Sequence, residues 1–321
     1  MESSLLERVR VACGVVASRA VCVRIDRDLI RSYAASLPLE QATLPVLDPS
    51  LHYLGHGADT VAFVLTLDAI NFGSGYFPLL RKRPGLSGYF TIAASLNDQF
   101  KEHRPLSAQR LARLTAEDCT KMFGQDFDNE PIRELMQLFA AALNDLGRCL
   151  LDRFDGSFTG LVEAAGSSAE RLVQLLVEMP YLNDVEPYNG LEVPFYKRAQ
   201  LTAADLSVAF EGKGPGHFDD LDRLTIFADN LVPHVLRTDG VLLYEEALAA
   251  RIDSERLIPS GSIEEVEIRA CAVHAVELLT KELRRTGHDV TAMGLDYLLW
   301  NRGQQPYYKA RPRHRTRTVF Y

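Results

Sequence analysis

Two short segments carry side chains able to break a bond through a cationic transition state. In Phe195-Tyr196-Lys197-Arg198-Ala199-Gln200 a lysine lies inside an aromatic stretch preceded by Pro194. In Phe227-Ala228-Asp229-Asn230-Leu231-Val232-Pro233 an apolar run ends on an aspartate and is followed by a helix breaker. A carboxylate aimed at developing positive charge stabilises it, and a neighbouring lysine can hold that carboxylate ionised. Pro233 stands four residues after Asp229, and proline disturbs the carbonyl four positions back. This spacing predicts that Asp229 projects where a helix breaks or ends, next to a negative helix terminus that disfavours a carboxylate. Each residue also has a plainer role, and taken alone the plainer role is the commoner. Asp229 fits a turn or cap, and Lys197 fits a snorkelling surface lysine.

A third candidate is Asp68, the only charge in Val61-Ala62-Phe63-Val64-Leu65-Thr66-Leu67-Asp68-Ala69-Ile70-Asn71-Phe72. A buried acid must be paired or hydrogen-bonded. One carboxylate can accept both the N1–H and the 2-amino group of a guanine-like edge. A structural ion pair with Arg269 accounts for the same residue equally well. Near the end, Lys309-Ala310-Arg311-Pro312-Arg313-His314-Arg315-Thr316-Arg317 is a dense cationic stretch in an acidic chain. It suits closure over a phosphate or a solvated tail, and the apolar Val319-Phe320-Tyr321 favours a docked segment. His52 and His56 have metal-like spacing but no intervening glutamate, so no zincin motif is present. Walker A, G-x-G-x-x-G and G-x-S-x-G patterns are also lacking, and neither a metal nor a cofactor is expected.

The elements that must position these residues read as mostly helical. Pro131 to Phe154 repeats Leu135, Leu138, Phe139, Leu143, Leu146 and Leu150 at spacings of three and four. Further helices are predicted over Ala169 to Val177, Phe218 to Phe227, Tyr244 to Ile252, Ser262 to Arg285 and Thr291 to Asn301. Ser4 with Glu7, Thr115 with Asp118, and Thr202 with Asp205 read as helix starts with capping chemistry. Short strands are predicted only over Val21 to Ile25 and Val241 to Leu243. The expected fold class is therefore all-α with few short strands. The expected organisation is a single globular unit over residues 1–321, with room for two helical lobes and a cleft between them.

Composition narrows the partners. The chain has 321 residues and 47% hydrophobic content, enough for a large core. Lys+Arg 35 against Asp+Glu 43 gives a net charge of -8, which disfavours a nucleic-acid polymer as partner. The five cysteines are scattered and form no C-x-x-C, which suits a reducing compartment. No basic region followed by an apolar core opens the chain, and no apolar run is long enough to span a bilayer. The expectation is a cytoplasmic monomer with no membrane partner.

Taken in order, these segments resemble the queuosine salvage proteins, a family of queuosine 5'-phosphate N-glycosylase/hydrolases. The resemblance rests on Leu67-Asp68-Ala69-Ile70-Asn71-Phe72, Ser87-Gly88-Tyr89, Gly156-Ser157-Phe158, Phe195 to Gln200, Glu211-Gly212-Lys213-Gly214 and Phe227-Ala228-Asp229 with Val232-Pro233. It continues through Glu265 to Arg269, Leu295-Asp296-Tyr297, Leu299-Trp300 and His314 to Arg317. It covers the chain from about residue 50 to the end. The chain departs from the family pattern at Asn230, Leu231 and His234, and in the Gly73-Ser74-Gly75 segment.

The resemblance implies an all-helical fold similar to helix-hairpin-helix DNA glycosylases. It implies hydrolysis of queuosine 5'-monophosphate to queuine and ribose 5-phosphate. Lys197 and Asp229 fall on the family's lysine and aspartate, and Asp68, Asn71 and Phe72 on its base pocket. Tyr196 and Asn230, beside the two central residues, are further substrate-binding candidates. Arg315 and Arg317 are candidates for the phosphate. Two alternatives remain open: a glycosylase acting on bases in DNA or tRNA, and a non-catalytic nucleotide-binding module in which Lys197 and Asp229 form a plain ion pair.

Overall fold

A computed structural model describes residues 4–41, 47–103 and 105–321. The chain is mostly helical, with two small antiparallel sheets among the described residues. Its contacts divide it into two compact units. One comprises residues 1–45, 184–197 and 222–317, and the other comprises 46–183, 198–221 and 318–321. None of the described helices is long and apolar enough to cross a membrane.

The first unit is built on the helix Ile263–Arg285. Ser262 starts it by accepting the Glu265 N–H at 3.3 Å, Glu264 and Glu265 occupy its positive end, and Arg284 and Arg285 its negative end. The helix Leu5–Arg19 packs along it. Leu6, Val9, Cys13 and Val16, spaced three and four apart, are all fully buried. Each such aliphatic side chain contributes about 2 kcal/mol of hydrophobic burial. Both expected strands form, at Val23–Ile25 and Leu242–Tyr244. They pair antiparallel, with Val23 opposite Tyr244 and Ile25 opposite Leu242.

Glu267 fixes the entry to the first of these strands. Its side chain is fully buried. Its carboxylate accepts the N–H groups of Val21 at 3.0 Å, Cys22 at 2.6 Å and Val23 at 3.1 Å, and the Tyr188 hydroxyl at 2.9 Å. A buried charge holds its place only with partners of this kind. The second sheet is a hairpin of Val185–Tyr188 and Leu191–Pro194, which the sequence reading did not expect.

The second unit packs Ala58–Ala69, Gly88–His103 and Glu130–Arg153, together with shorter helices and most of Lys197–Ala209. The long helix anticipated over Pro131 to Phe154 is present as Glu130–Arg153. Thr115 and Asp118 form the full capping box expected of them.

Two expectations fail. Thr202 starts no helix, because the helix already begins at Lys197, and the Thr202 hydroxyl instead bonds the Arg198 carbonyl one turn back at 2.9 Å. Phe218 to Phe227 is not an α-helix: one short 3-10 turn, Leu221–Arg223, lies within it. Asp220 there is turned to another task, since its carboxylate accepts the Ala169 N–H at 2.5 Å and the Ser168 hydroxyl at 2.7 Å, at the start of the helix Ala169–Leu176.

Candidate active site

Asp229 lies before a helix and not after one. The helix Leu231–Thr238 begins two residues later, and the Asp229 carboxylate accepts its first N–H groups, from Leu231 at 2.7 Å and Val232 at 3.2 Å. The expected helix break is thus a helix start. Pro233 sits in the first turn, where its missing N–H has no carbonyl to miss. The arrangement is opposite in sign to the sequence expectation: the carboxylate meets the positive helix end and not the negative one. Asp229 is half-buried, whereas the flanking Ala228 and Asn230 are buried. The Asn230 amide donates to the His314 carbonyl at 3.3 Å, which ties the cationic segment to this turn.

Lys197 is 6% exposed, so a snorkelling surface lysine is excluded. It follows the hairpin Val185–Pro194 directly, as the first residue of its helix. The Phe195 and Tyr196 N–H groups donate to the Asp184 main-chain carbonyl at 2.9 and 3.3 Å, and the Lys197 N–H donates to the Asp184 carboxylate at 3.2 Å. Tyr196, 5% exposed, takes φ 50, a left-handed conformation that costs a non-glycine residue about 1–3 kcal/mol and persists only when its surroundings impose it. Arg269 forms a two-bonded pair with Asp184, at 3.0 and 2.6 Å. The carboxylate suggested for Arg269 from sequence was Asp68, but Asp184 and Glu265 take its guanidinium. Asp184 carried no sequence signal as a site residue.

Two further charged groups belong to this cluster. Asp296 is 3% exposed and accepts the Phe227 N–H at 2.9 Å. Burial, reinforced by the charge of Asp229, pushes its carboxyl well above the usual range, against the opposing influence of the Phe227 bond and Lys197. Arg313 is exposed, and its guanidinium is within electrostatic reach of Asp229 and Arg315. Arg315 itself is held by Glu255, through a 2.9 Å bond to its carbonyl and a 3.4 Å ion pair. The C-terminal segment docks, as its apolar end suggested: His314 and Thr316 are buried, and the Ile258 N–H donates to the Arg315 carbonyl at 2.9 Å.

In the second unit, Asp68 is 1% exposed in the last turn of Ala58–Ala69. The negative end of that helix is capped by Arg198, which donates to the Asp68 carbonyl at 3.2 Å, to the Ala69 carbonyl at 2.5 Å and to the Tyr181 carbonyl. Its guanidinium stacks 4.8 Å from the Phe72 ring centroid. Phe72 is 2% exposed and Asn71 half-buried. Gly73, at φ 106, continues the segment and donates to the Tyr321 carbonyl at 3.1 Å. Asp68, Asn71 and Phe72 thus sit on one short rigid stretch, and Arg198 holds it at the helix end.

Carboxylates also crowd Arg269. Glu186 is pushed up to about 7, first by burial and then by the Glu265 carboxylate, with Arg269 opposing. The folded protein keeps that proton to higher pH than the unfolded chain, whose glutamates titrate near 4.5. Stability therefore falls as pH rises from about 4.5 to about 7. Glu186→Gln removes this loss: its melting temperature matches wild type at the acidic end and exceeds it above the window. Thermal melts followed by circular dichroism across that range check it. A difference that does not vary with pH would refute the assignment.

The family described as queuosine salvage protein matches residues 51–321. The chain is 39% identical over 312 residues, 95% of each chain, to a Sphaerobacter thermophilus protein named queuosine 5'-phosphate N-glycosylase/hydrolase. Proteins of the same name from Mus musculus and Bos taurus are 32% and 33% identical, each covering 97% of this chain and 98% of their own.

Proposed function

The chain belongs to the queuosine salvage protein family, and from that premise we propose that it is an N-glycosyl hydrolase of queuosine 5'-monophosphate. It releases queuine and ribose 5-phosphate. The observation that carries the reading is Asp229: a carboxylate held at a positive helix end by the Leu231 and Val232 N–H groups, with the Arg313 guanidinium within electrostatic reach and with Asp229 and Lys197 both acting on the buried Asp296 carboxyl.

Breaking the bond builds positive charge on the ribose. Asp229 stabilises that charge and orients the attacking water, whose oxygen bonds to the anomeric carbon as the base nitrogen leaves with the electron pair; the proton that the water sheds neutralises the departing base. Its carboxylate is positioned before the reaction, so little reorganisation is needed when charge develops. Lys197 is assigned as the buried cation that balances the carboxylates of the site. The leaving base is a 7-deazapurine and has no ring nitrogen at position 7 to protonate. Its departure depends on hydrogen bonds along its other edges, and Asp68, Asn71 and Phe72 are assigned to recognise that base. Tyr196 and Asn230 contribute to the substrate site beside the two central residues.

Arg315 and Arg317 remain assigned to the phosphate, and Arg313 joins them because it is exposed and near Asp229. A charge-assisted bond from Arg313 to the 5'-phosphate contributes about 1.5–3 kcal/mol. Arg313→Ala should therefore raise KM for the monophosphate by roughly tenfold or more and leave that of the nucleoside unchanged. Equal effects on the two substrates would remove Arg313 from the phosphate site. The reading takes the protein as a cytoplasmic monomer acting on the free nucleotide and not on a nucleic-acid polymer. All five cysteines are free, in keeping with a reducing compartment.

The test is direct. Purified protein is incubated with queuosine 5'-monophosphate, and queuine is sought by chromatography. Release of queuine is the expected result. Binding without release would leave a nucleotide-binding protein in place of an enzyme.

A further inference from the structure

We propose that the buried Arg269–Asp184 pair is a positioning device for this reaction, setting Lys197 and Asp229 relative to each other through their main chains. The proposal rests on the roles given to those two residues above.

The pair makes an unbroken path between them. Asp184 holds the lysine side: its carboxylate accepts the Lys197 N–H at 3.2 Å, and its carbonyl accepts the two preceding N–H groups, from Phe195 and Tyr196. Arg269 holds the aspartate side. Its Nε donates to the carbonyl of Ala228, the residue before Asp229, at 2.9 Å. The two halves join through parallel bonds of 3.0 and 2.6 Å between side chains that are 0% and 2% exposed. The Arg269 guanidinium also lies 4.0 Å from the centroid of the Phe195 ring, which fixes its plane. Thus each main-chain anchor is one residue or less from the side chain it serves.

Arginine is required by this geometry. One planar fork must bond a carboxylate with two nitrogens and a carbonyl with the third, and a lysine ammonium cannot reproduce those directions. The left-handed Tyr196 shows that the chain is constrained here: φ 50 at a buried aromatic residue persists only because neighbouring bonds impose it. The residue it delivers is Lys197. A shift of about 1 Å in such a group costs on the order of 100-fold in rate.

A purely structural pair and a positioning pair differ in what they change. Asp184→Asn keeps shape and an accepting oxygen but loses the charge. Arg269→Lys keeps the charge but loses the fork. Glu267→Gln serves as a control, because Glu267 lies on the same helix, is equally buried and touches neither Lys197 nor Ala228 in the contacts described. Each is assayed with queuosine 5'-monophosphate at a temperature where its near-ultraviolet circular dichroism is native.

The expected result is a kcat on the order of 100-fold lower for Asp184→Asn and Arg269→Lys, with KM within about threefold of wild type. Glu267→Gln keeps its kcat. A kcat within about threefold of wild type in a folded Asp184→Asn or Arg269→Lys protein overturns the proposal. So does failure of both to fold while Glu267→Gln folds, since the pair is then a stability element. Wild-type and Asp229→Asn protein assayed in parallel separate the two claims. If wild type is inactive, or Asp229→Asn stays active, the underlying reading fails. If only the Asp184 and Arg269 variants behave as wild type, the positioning role alone fails.

Discussion

Asp229→Asn should lose about 100- to 1,000-fold in kcat while keeping its fold and its affinity for queuosine 5'-monophosphate. The asparagine carbonyl can still accept the Leu231 and Val232 N–H groups that the carboxylate now accepts at 2.7 and 3.2 Å, so the helix start survives. What disappears is a full negative charge facing the ribose. Loss of one preorganised electrostatic contact of this kind typically costs about 3–4 kcal/mol of transition-state stabilisation. Single-turnover release of queuine measures the chemical step, and calorimetric titration measures binding. Near-normal turnover in a folded variant would sink the assignment of Asp229. Lost binding together with lost turnover would make the residue a ligand anchor instead.

Glu267→Gln should destabilise the first unit measurably, and it should leave the kcat of the folded protein intact. The carboxylate accepts three consecutive main-chain N–H groups and a tyrosine hydroxyl. An amide can set its one oxygen where Oε2 now accepts Val21, Cys22 and Val23, but its NH₂ then faces the Val21 N–H and the Tyr188 hydroxyl, and the negative charge that these donors met is lost. Loss of charge assistance to the three N–H groups, with one misplaced NH₂, costs roughly 2–3 kcal/mol. For a protein of this size that is a fall of about 3–5 °C in melting temperature. Thermal and urea denaturation give the number, and a loss below about 1 kcal/mol would show that solvent or backbone adjustment satisfies the N–H groups.

Much of the fold was legible where periodicity is strong. The helices near Glu130–Arg153 and Ile263–Arg285 repeat apolar residues over many turns, and both strands of the Val23–Ile25 pair were visible as short apolar runs. The hairpin Val185–Pro194 escaped notice although Asn189-Gly190 is its turn, with φ 47 and 83. Pro187 and Pro194 in its strands masked the pattern, since proline argues against a strand. At the site, residue types were readable and their settings were not. Asp229 was placed at the wrong helix end because Pro233 was taken for a terminator, yet it stands in a first turn. Asp184 was invisible because its partner Arg269 is 85 positions away in sequence, and only folding gives either residue its meaning.

The order in which the first unit's parts leave the ribosome differs from the order in which they can be used. Its opening helix, Leu5–Arg19, and the strand Val23–Ile25 find their partners in Leu242–Tyr244 and in the helix that carries Glu267. At about 5–20 residues per second, those partners emerge roughly 10–50 s later. Until the strand Leu191–Pro194 and then the helix Ile263–Arg285 emerge, the apolar face of Leu6, Val9, Cys13 and Val16 lacks the main surfaces of its own unit that cover it. Vectorial synthesis thus makes this helix the segment most exposed to premature association. Holdase demand should fall on nascent chains in which residues 263–285 are unmade or still inside the exit tunnel, and lapse once the helix Ile263–Arg285 has cleared it.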